Sequence, residues 1–258
     1  MAVKGKKAAG PGPRGQPPVT MLQPPALRGK RAAGAAPVDR AVRVRARKIL
    51  GILEKAHRDA RIYLNARSPW QLLIATILAA QCTDERVNEV TPLFFARYPD
   101  AAHLAGARPA DVEGMIRSTG FFRQKARTVI ECSQVLTESH GGDVPADVDA
   151  LTSIGGVGRK TANVVLSNAF GQPAIAVDTH VQRVAGRLGM ATAKDPDKIE
   201  RQLCGLIPRE LWTRATHVLG THGRRICIAK KPDCEHCPVS RLCDYHRSLA
   251  SGPGAAAS

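Results

Sequence analysis

Lys160 follows a glycine-rich corner in "LTSIGGVGRKTANVVL" (Leu151–Leu166), and its amine could cradle a phosphate, attack a carbon or simply meet solvent. A Walker-type phosphate loop needs four residues between its first glycine and a Gly-Lys-Ser/Thr. Here Arg159 precedes Lys160 and the segment before the turn reads as helix, so that reading fails. A helix–turn–helix unit fits better: "ADVDAL" is a short first helix, "GGVG" the hairpin, and "RKTANVVLSNAFG" the second helix, closed by Gly171. Gly156 and Gly158 supply positive φ and close backbone approach, while Val157 folds inward between them. The amides that open the second helix then suit phosphate oxygens. An amine attacks only when unprotonated, a state that about one unperturbed lysine in a thousand occupies at neutral pH. A nucleophilic Lys160 therefore requires surroundings that activate it. Asp178, in "VDTHVQRVAGRLG", is placed to cap the next helix, where the dipole favours a negative charge.

Four cysteines form a second cluster with chemistry in it. "CIAKKPDCEHCPVSRLC" places Cys227, Cys234, Cys237 and Cys243 in a C-x6-C-x2-C-x5-C spacing. Four thiolates in one loop satisfy either a tetrahedral zinc ion or a cubane iron–sulfur cluster. Zinc ribbons usually pair two C-x-x-C knuckles, and this loop has one. In a reducing compartment such crowding favours a metal over disulfides. Cys82, Cys132 and Cys204 stand alone.

The elements that must position these groups are helical. "SPWQLLIATILAAQ" opens with Ser68 as cap and Pro69 at the first helical position, and Trp70, Leu73, Ile74, Ile77 and Leu78 share one face. Thr83 caps "TDERVNEVTPLFFARYP", with Asp84 and Glu85 at its positive end. "FRQKARTVIECSQVLTESHGG" ends in glycines suited to a left-handed cap, and "DPDKIERQLCGLIP" is a helix with a proline stop. Only "PAIAV" carries a trace of strand patterning. The chain reads as all-α, with short helices and turns of a few residues.

The balance of charge points to the partner. Among 258 residues, Lys and Arg exceed Asp and Glu to give a formal net charge of +16, which calls for a polyanion, most commonly nucleic acid. No apolar run approaches the roughly 18 residues of a spanning helix, so no membrane partner is expected. No secretory signal pattern opens the chain. Residues 1–40, rich in Pro, Gly, Ala and basic side chains, are expected to be a disordered basic tail. Their many prolines argue against an organellar targeting helix, so a cytoplasmic, nucleoid-associated protein of bacterial type is expected.

"GVGRKTANVVL" followed by "AVDTHVQRV" resembles the helix-hairpin-helix, Gly/Pro-rich loop and aspartate of base-excision DNA glycosylases. The resemblance is to the endonuclease III family and covers roughly Ala41 to His246, including the cysteine loop. It implies a bifunctional glycosylase and AP lyase, a monomer acting on double-stranded DNA that carries damaged pyrimidines or abasic sites. It assigns Lys160 as the nucleophile that forms a Schiff base, and Asp178 as the group that activates it and stabilises charge at the sugar C1′. It assigns a [4Fe–4S] cluster to Cys227, Cys234, Cys237 and Cys243. Gln81 matches the polar residue that fills the gap left by a flipped nucleotide, and Phe121 matches the apolar residue entering from the other strand. Ordinary helix-end packing explains a lone Gln or Phe equally well. Gly156, Val157, Gly158 and Arg159 are expected at the DNA backbone, and Lys230 and Lys231 suggest a basic loop against phosphates.

The implied architecture is a two-lobed helix-hairpin-helix glycosylase fold, a six-helix barrel plus an iron–sulfur cluster domain. Residues 62–173 would form the barrel, 41–61 with 174–246 the cluster domain, and 247–258 a disordered C-terminal tail. Lys160 and Asp178 would then face each other from opposite walls of a cleft. Two other functions stay open: an adenine-mismatch glycosylase, in which the position of Lys160 is typically not lysine, and a non-catalytic helix-hairpin-helix DNA-binding protein. One departure stands out. Gly155 occupies the position where the family usually has proline, giving "IGGVG" and a looser turn.

Overall fold

Side-chain caps set most of the helix boundaries. Ser68 accepts a hydrogen bond from the amide of Gln71, Thr83 from Arg86, Asp147 from Ala150 and Asp195 from Lys198. Each satisfies an amide that the helix itself cannot, at about 1 kcal/mol per cap. The computed structural model describes residues 39–250, and the N-terminal tail up to residue 38 lies outside the described residues. Twelve α-helices follow: α1 (Arg40–Ala56), α2 (Pro69–Leu78), α3 (Asp84–Arg97), α4 (Ala101–Ala105), α5 (Pro109–Ile116), α6 (Phe122–His140), α7 (Val148–Ser153), α8 (Arg159–Ala169), α9 (Thr179–Arg187), α10 (Pro196–Leu206), α11 (Trp212–Arg225) and α12 (Asp244–Ala250). No strand occurs among the described residues, and "PAIAV" runs as extended coil between α8 and α9. The fold is all-α. One boundary moves: α12 carries on to Ala250, so the segment from 247 to 250 is helical where a disordered tail was expected, and the remainder lies outside the described residues.

Two hydrophobic cores organise these helices. The first runs from Leu64 to Ala169 and packs α2 against α3, α6 and α8. Leu72 and Ala75 are buried along with the face legible in the sequence, because α2 is surrounded on nearly all sides. The second core joins α1 to α9, α10 and α11 and ends at Cys243. Polar contacts tie the two together. Asn163 of α8 donates to the carbonyl of Ile175 at 2.9 Å, His217 of α11 meets Asn168 of α8 at 2.9 Å, and Tyr63 meets Thr221 at 3.2 Å. None of the described helices is long and apolar enough to cross a membrane.

Candidate active site

The hairpin between α7 and α8 is built around one demanding glycine. Gly156 has φ +81°, and a Cβ there would come within 2.1 Å of Thr128 Cγ2 on α6. Gly158 does not share that geometry: at φ −82° and ψ 170° it is the extended residue that starts α8, so the expected positive φ at this position is corrected. Val157 is 3% exposed and belongs to the barrel core. Its amide donates to Ile154 O at 3.0 Å. Arg159 has a partner within the protein. Its guanidinium makes a two-pronged contact with Glu200 of α10 at 2.7 and 2.8 Å, and the Glu200 carboxylate raises its pKa further. What the hairpin presents outward is backbone. α8 lacks the side-chain cap that its neighbours α7 and α9 have. The amides of Gly156, Gly158, Arg159 and Lys160 accordingly have no partner among the described residues. This is the arrangement of an anion site at the positive end of a helix.

Lys160 is exposed in the first turn of α8, and its ammonium makes no ion pair or hydrogen bond among the described residues. Asp178 is the N-cap of α9, where Oδ1 accepts from the amides of His180 and Val181 at 2.9 and 2.7 Å. Its other oxygen faces Arg224 Nη1 at 3.7 Å. The two groups thus sit at the starts of helices belonging to different cores, and the carboxylate is pre-paired with Arg224 rather than with Lys160. Arg224 also donates to Asp84 at 2.7 Å and lies over the Tyr63 ring at 4.6 Å, so one guanidinium of α11 meets the starts of both α3 and α9. Sequence spacing gave no hint of it, since Asp84 and Arg224 are 140 residues apart. A cavity of about 310 Å³ bordered by Asn65, Arg67, Asn88 and Phe95 touches neither Lys160 nor Asp178 and is no part of this site.

Gln81 and Phe121 share a property that no other non-glycine among the described residues has. Both lie at positive φ, 52° and 48°. For a residue with a Cβ this conformation costs about 1–2 kcal/mol, and such strain gathers at functional turns. Both side chains are exposed, Phe121 at 65%. Phe122, its neighbour, packs against the barrel core. Behind them Lys125 is 5% exposed, and its ammonium donates to Leu78 O at 2.8 Å and Thr119 O at 2.7 Å. Burial lowers its pKa, with Cys82 acting in the opposite sense. A lysine on the apolar face of α6, in step with Ala126, Val129 and Ile130, is a signal that the sequence did carry.

The four clustered cysteines line one small pocket together with Leu188, His222 and Tyr245. Burial, and then the neighbouring thiols, raise the pKa of Cys234. Burial also raises that of Cys237. Arg187 organises the loop from outside, donating to Cys227 Sγ at 3.3 Å, Ile228 O at 2.8 Å and Ala229 O at 2.8 Å. From inside, His222 Nε2 lies 3.6 Å from Cys237 Sγ and its Nδ1 lies 3.1 Å from His57 Nε2. Burial, reinforced by His57, pushes the His222 imidazole down to about 4, so it is neutral at physiological pH. Among the described residues no group of three or more His, Cys, Asp or Glu side chains is arranged to hold a metal ion.

The chain as a whole is similar to known proteins. A family described as HhH-GPD superfamily base excision DNA repair protein matches residues 74–209. Endonuclease III of Synechocystis sp. is 48% identical over 200 residues, which is 77% of this chain and 91% of that protein. Endonuclease III of Escherichia coli (strain K12) is 43% identical over 189 residues, 72% of this chain and 88% of that one. A solved structure of a trapped endonuclease III–DNA covalent intermediate matches with a TM-score of 0.78 at 41% identity, covering 81% of this chain and 98% of its own. The chain belongs to the endonuclease III family, within the HhH-GPD superfamily of base excision DNA repair proteins.

Proposed function

We propose that this base excision repair glycosylase is bifunctional, with Lys160 as nucleophile and Asp178 as its charged partner, acting on oxidised pyrimidines and abasic sites in duplex DNA. The observation that carries the reading is an exposed, unpaired amine in the first turn of α8, beside an uncapped helix end that can take phosphate. With DNA bound by its backbone and the damaged nucleotide turned out of the stack, Lys160 Nζ attacks C1′ and the bond from C1′ to the base breaks. Asp178, as the carboxylate, stabilises the positive charge developing on the sugar while the base leaves with a proton from water; it then takes the proton lost by the amine and passes it to O4′ as the C1′–O4′ bond opens. The open-chain imine then loses a C2′ proton, the C3′–O bond breaks with departure of the 3′ phosphate, and water returns the free lysine. Gln81 and Phe121 fill the space the nucleotide leaves. The reading takes lobes at about 62–173 and at 41–61 with 174–246, with Lys160 and Asp178 on facing walls; the membership of α8 and α9 in different cores supports it. Action on chromosomal DNA in a bacterial cytoplasm follows from the same reading.

Cys227, Cys234, Cys237 and Cys243 fit a [4Fe–4S] cluster. All four thiols line one pocket, and their loop carries one C-x-x-C knuckle rather than the two that zinc ribbons usually pair. Four thiolates from one loop are the donor set of a cubane, one for each iron. When bound, the cluster cross-links the loop and offsets thiolate charge; base removal runs through Lys160 and Asp178. Arg187 and neutral His222 hold the ligand loop from its two sides.

An incision assay tests the assignment. On duplex DNA with one abasic site, Lys160→Ala should lose strand cleavage by about a hundredfold or more, and Asp178→Asn, which still caps α9, should lose a similar factor. Full incision by Lys160→Ala would remove the proposal.

A further inference from the structure

We infer that Lys125 is a positioning residue for duplex opening: one buried ammonium fastens the turn bearing Gln81 to the turn bearing Phe121, so that both side chains meet DNA as a single rigid unit. The inference rests on the reading that these two residues fill the opened duplex, and adds to it the group that holds them. Leu78 is the last residue of α2, three before Gln81, and its carbonyl is one that the helix leaves without a partner. Thr119 ends the short 3₁₀ turn Arg117–Thr119, two residues before Phe121. The Lys125 ammonium donates to both carbonyls, at 2.8 and 2.7 Å. Its own amide donates to Phe121 O at 3.0 Å, so main chain and side chain of the same residue bracket the strained turn. Thr119 is pinned a second time, its hydroxyl donating to Ile116 O at 2.8 Å.

A purely structural explanation leaves an observation unaccounted for. An apolar residue on this face of α6 would extend the core without burying a charge, which is the less costly choice for stability alone. The described residues contain two non-glycines in the left-handed region, and this lysine reaches the turn of each. Strained conformations persist only where the surroundings over-determine them. Without the ammonium both turns are free to relax to ordinary φ, and each side chain would need to be ordered anew at every encounter with DNA.

Lys125→Met, which keeps the length and loses the donor, tests this. Single-turnover rates are measured on a duplex carrying thymine glycol and on a single strand carrying a preformed abasic site, which needs no opening. Folding is matched by circular dichroism and by visible absorbance of the purified holoprotein. The ratio of duplex to single-strand rate is expected to fall about tenfold. A 2-aminopurine opposite the lesion should show a correspondingly smaller rise in fluorescence on binding. An unchanged ratio, or equal losses on both substrates, would overturn the role of Lys125. If Lys125→Met does not accumulate folded, Lys125→Arg takes its place. It keeps a cation, displaces the donors and should move the ratio in the same direction; no movement would again overturn the role. Wild-type protein inactive on the single abasic strand, or Lys160→Ala as active as wild type, would instead remove the proposed function on which this inference rests.

Discussion

Gly155 and Gly156 are adjacent, yet they answer to different physics. Gly155 has no positive φ, open space where a Cβ would stand and an amide that bonds to nothing among the described residues. Ile154 before it is extended, at φ −76° and ψ 126°, which is the backbone a residue preceding proline prefers. Gly155→Pro should therefore raise stability by about 0.4–1 kcal/mol by restricting the unfolded chain. For a protein of this size that amounts to a rise of about 1–4 °C in Tm, measured by thermal unfolding. It should also tighten non-specific DNA binding by stiffening the hairpin. A lower Tm would show that the turn has another geometry. Gly156 is the opposite case, because its φ of +81° and its contact with Thr128 leave no room for a side chain. The need for glycine at 156 was legible from the hairpin pattern, whereas the extended state of Gly158 was not, since an N-cap position also accepts glycine.

At the scale of elements, the contact between α8 and α10 decides how the hairpin is held. Glu200 is buried and Arg159 is half-exposed, so the pair lies between the exposed case, worth about 0.2–1 kcal/mol, and the buried case. Arg159→Met strands a buried carboxylate and should cost about 2 kcal/mol. Glu200→Gln leaves a neutral acceptor in place and should cost about 1 kcal/mol, and Arg159→Met combined with Glu200→Gln should cost less than the sum of the two. Urea unfolding of the three variants measures this; strict additivity would mean that the pair does not couple the lobes. Caps were legible because they are local: Ser68, Thr83, Asp147 and Asp195 each bond an amide three residues on. Arg159–Glu200, Arg224–Asp84 and Lys125–Leu78 were not. They pair residues 41, 140 and 47 positions apart, separations at which no periodicity speaks. The Arg159 pair was hidden for that reason, since proximity to the hairpin spoke only for DNA and not for Glu200.

Over the whole molecule, a net charge of +16 draws the protein to a polyanion without telling it where to act. Location comes from two cores, one carrying α8 with Lys160 and the other α9 with Asp178, while Arg224 of α11 joins Asp178 to Asp84 at the start of α3. That α1 packs with the C-terminal helices was not legible in periodicity, which marks a buried face but not its partner; the family resemblance supplied it. The unpaired state of Lys160 before DNA arrives was equally hidden, because a chain pattern cannot show which cation reaches a carboxylate first. The central claim is that this amine becomes covalently joined to the sugar of the extruded nucleotide. Borohydride reduction during reaction with lesion-bearing duplex DNA tests it most directly. Wild-type protein should be captured as a stable protein–DNA adduct whose DNA-linked peptide contains Lys160, and Lys160→Ala should give none. An alanine variant captured as fully as the wild type, or an adduct mapped to another lysine, would contradict the account.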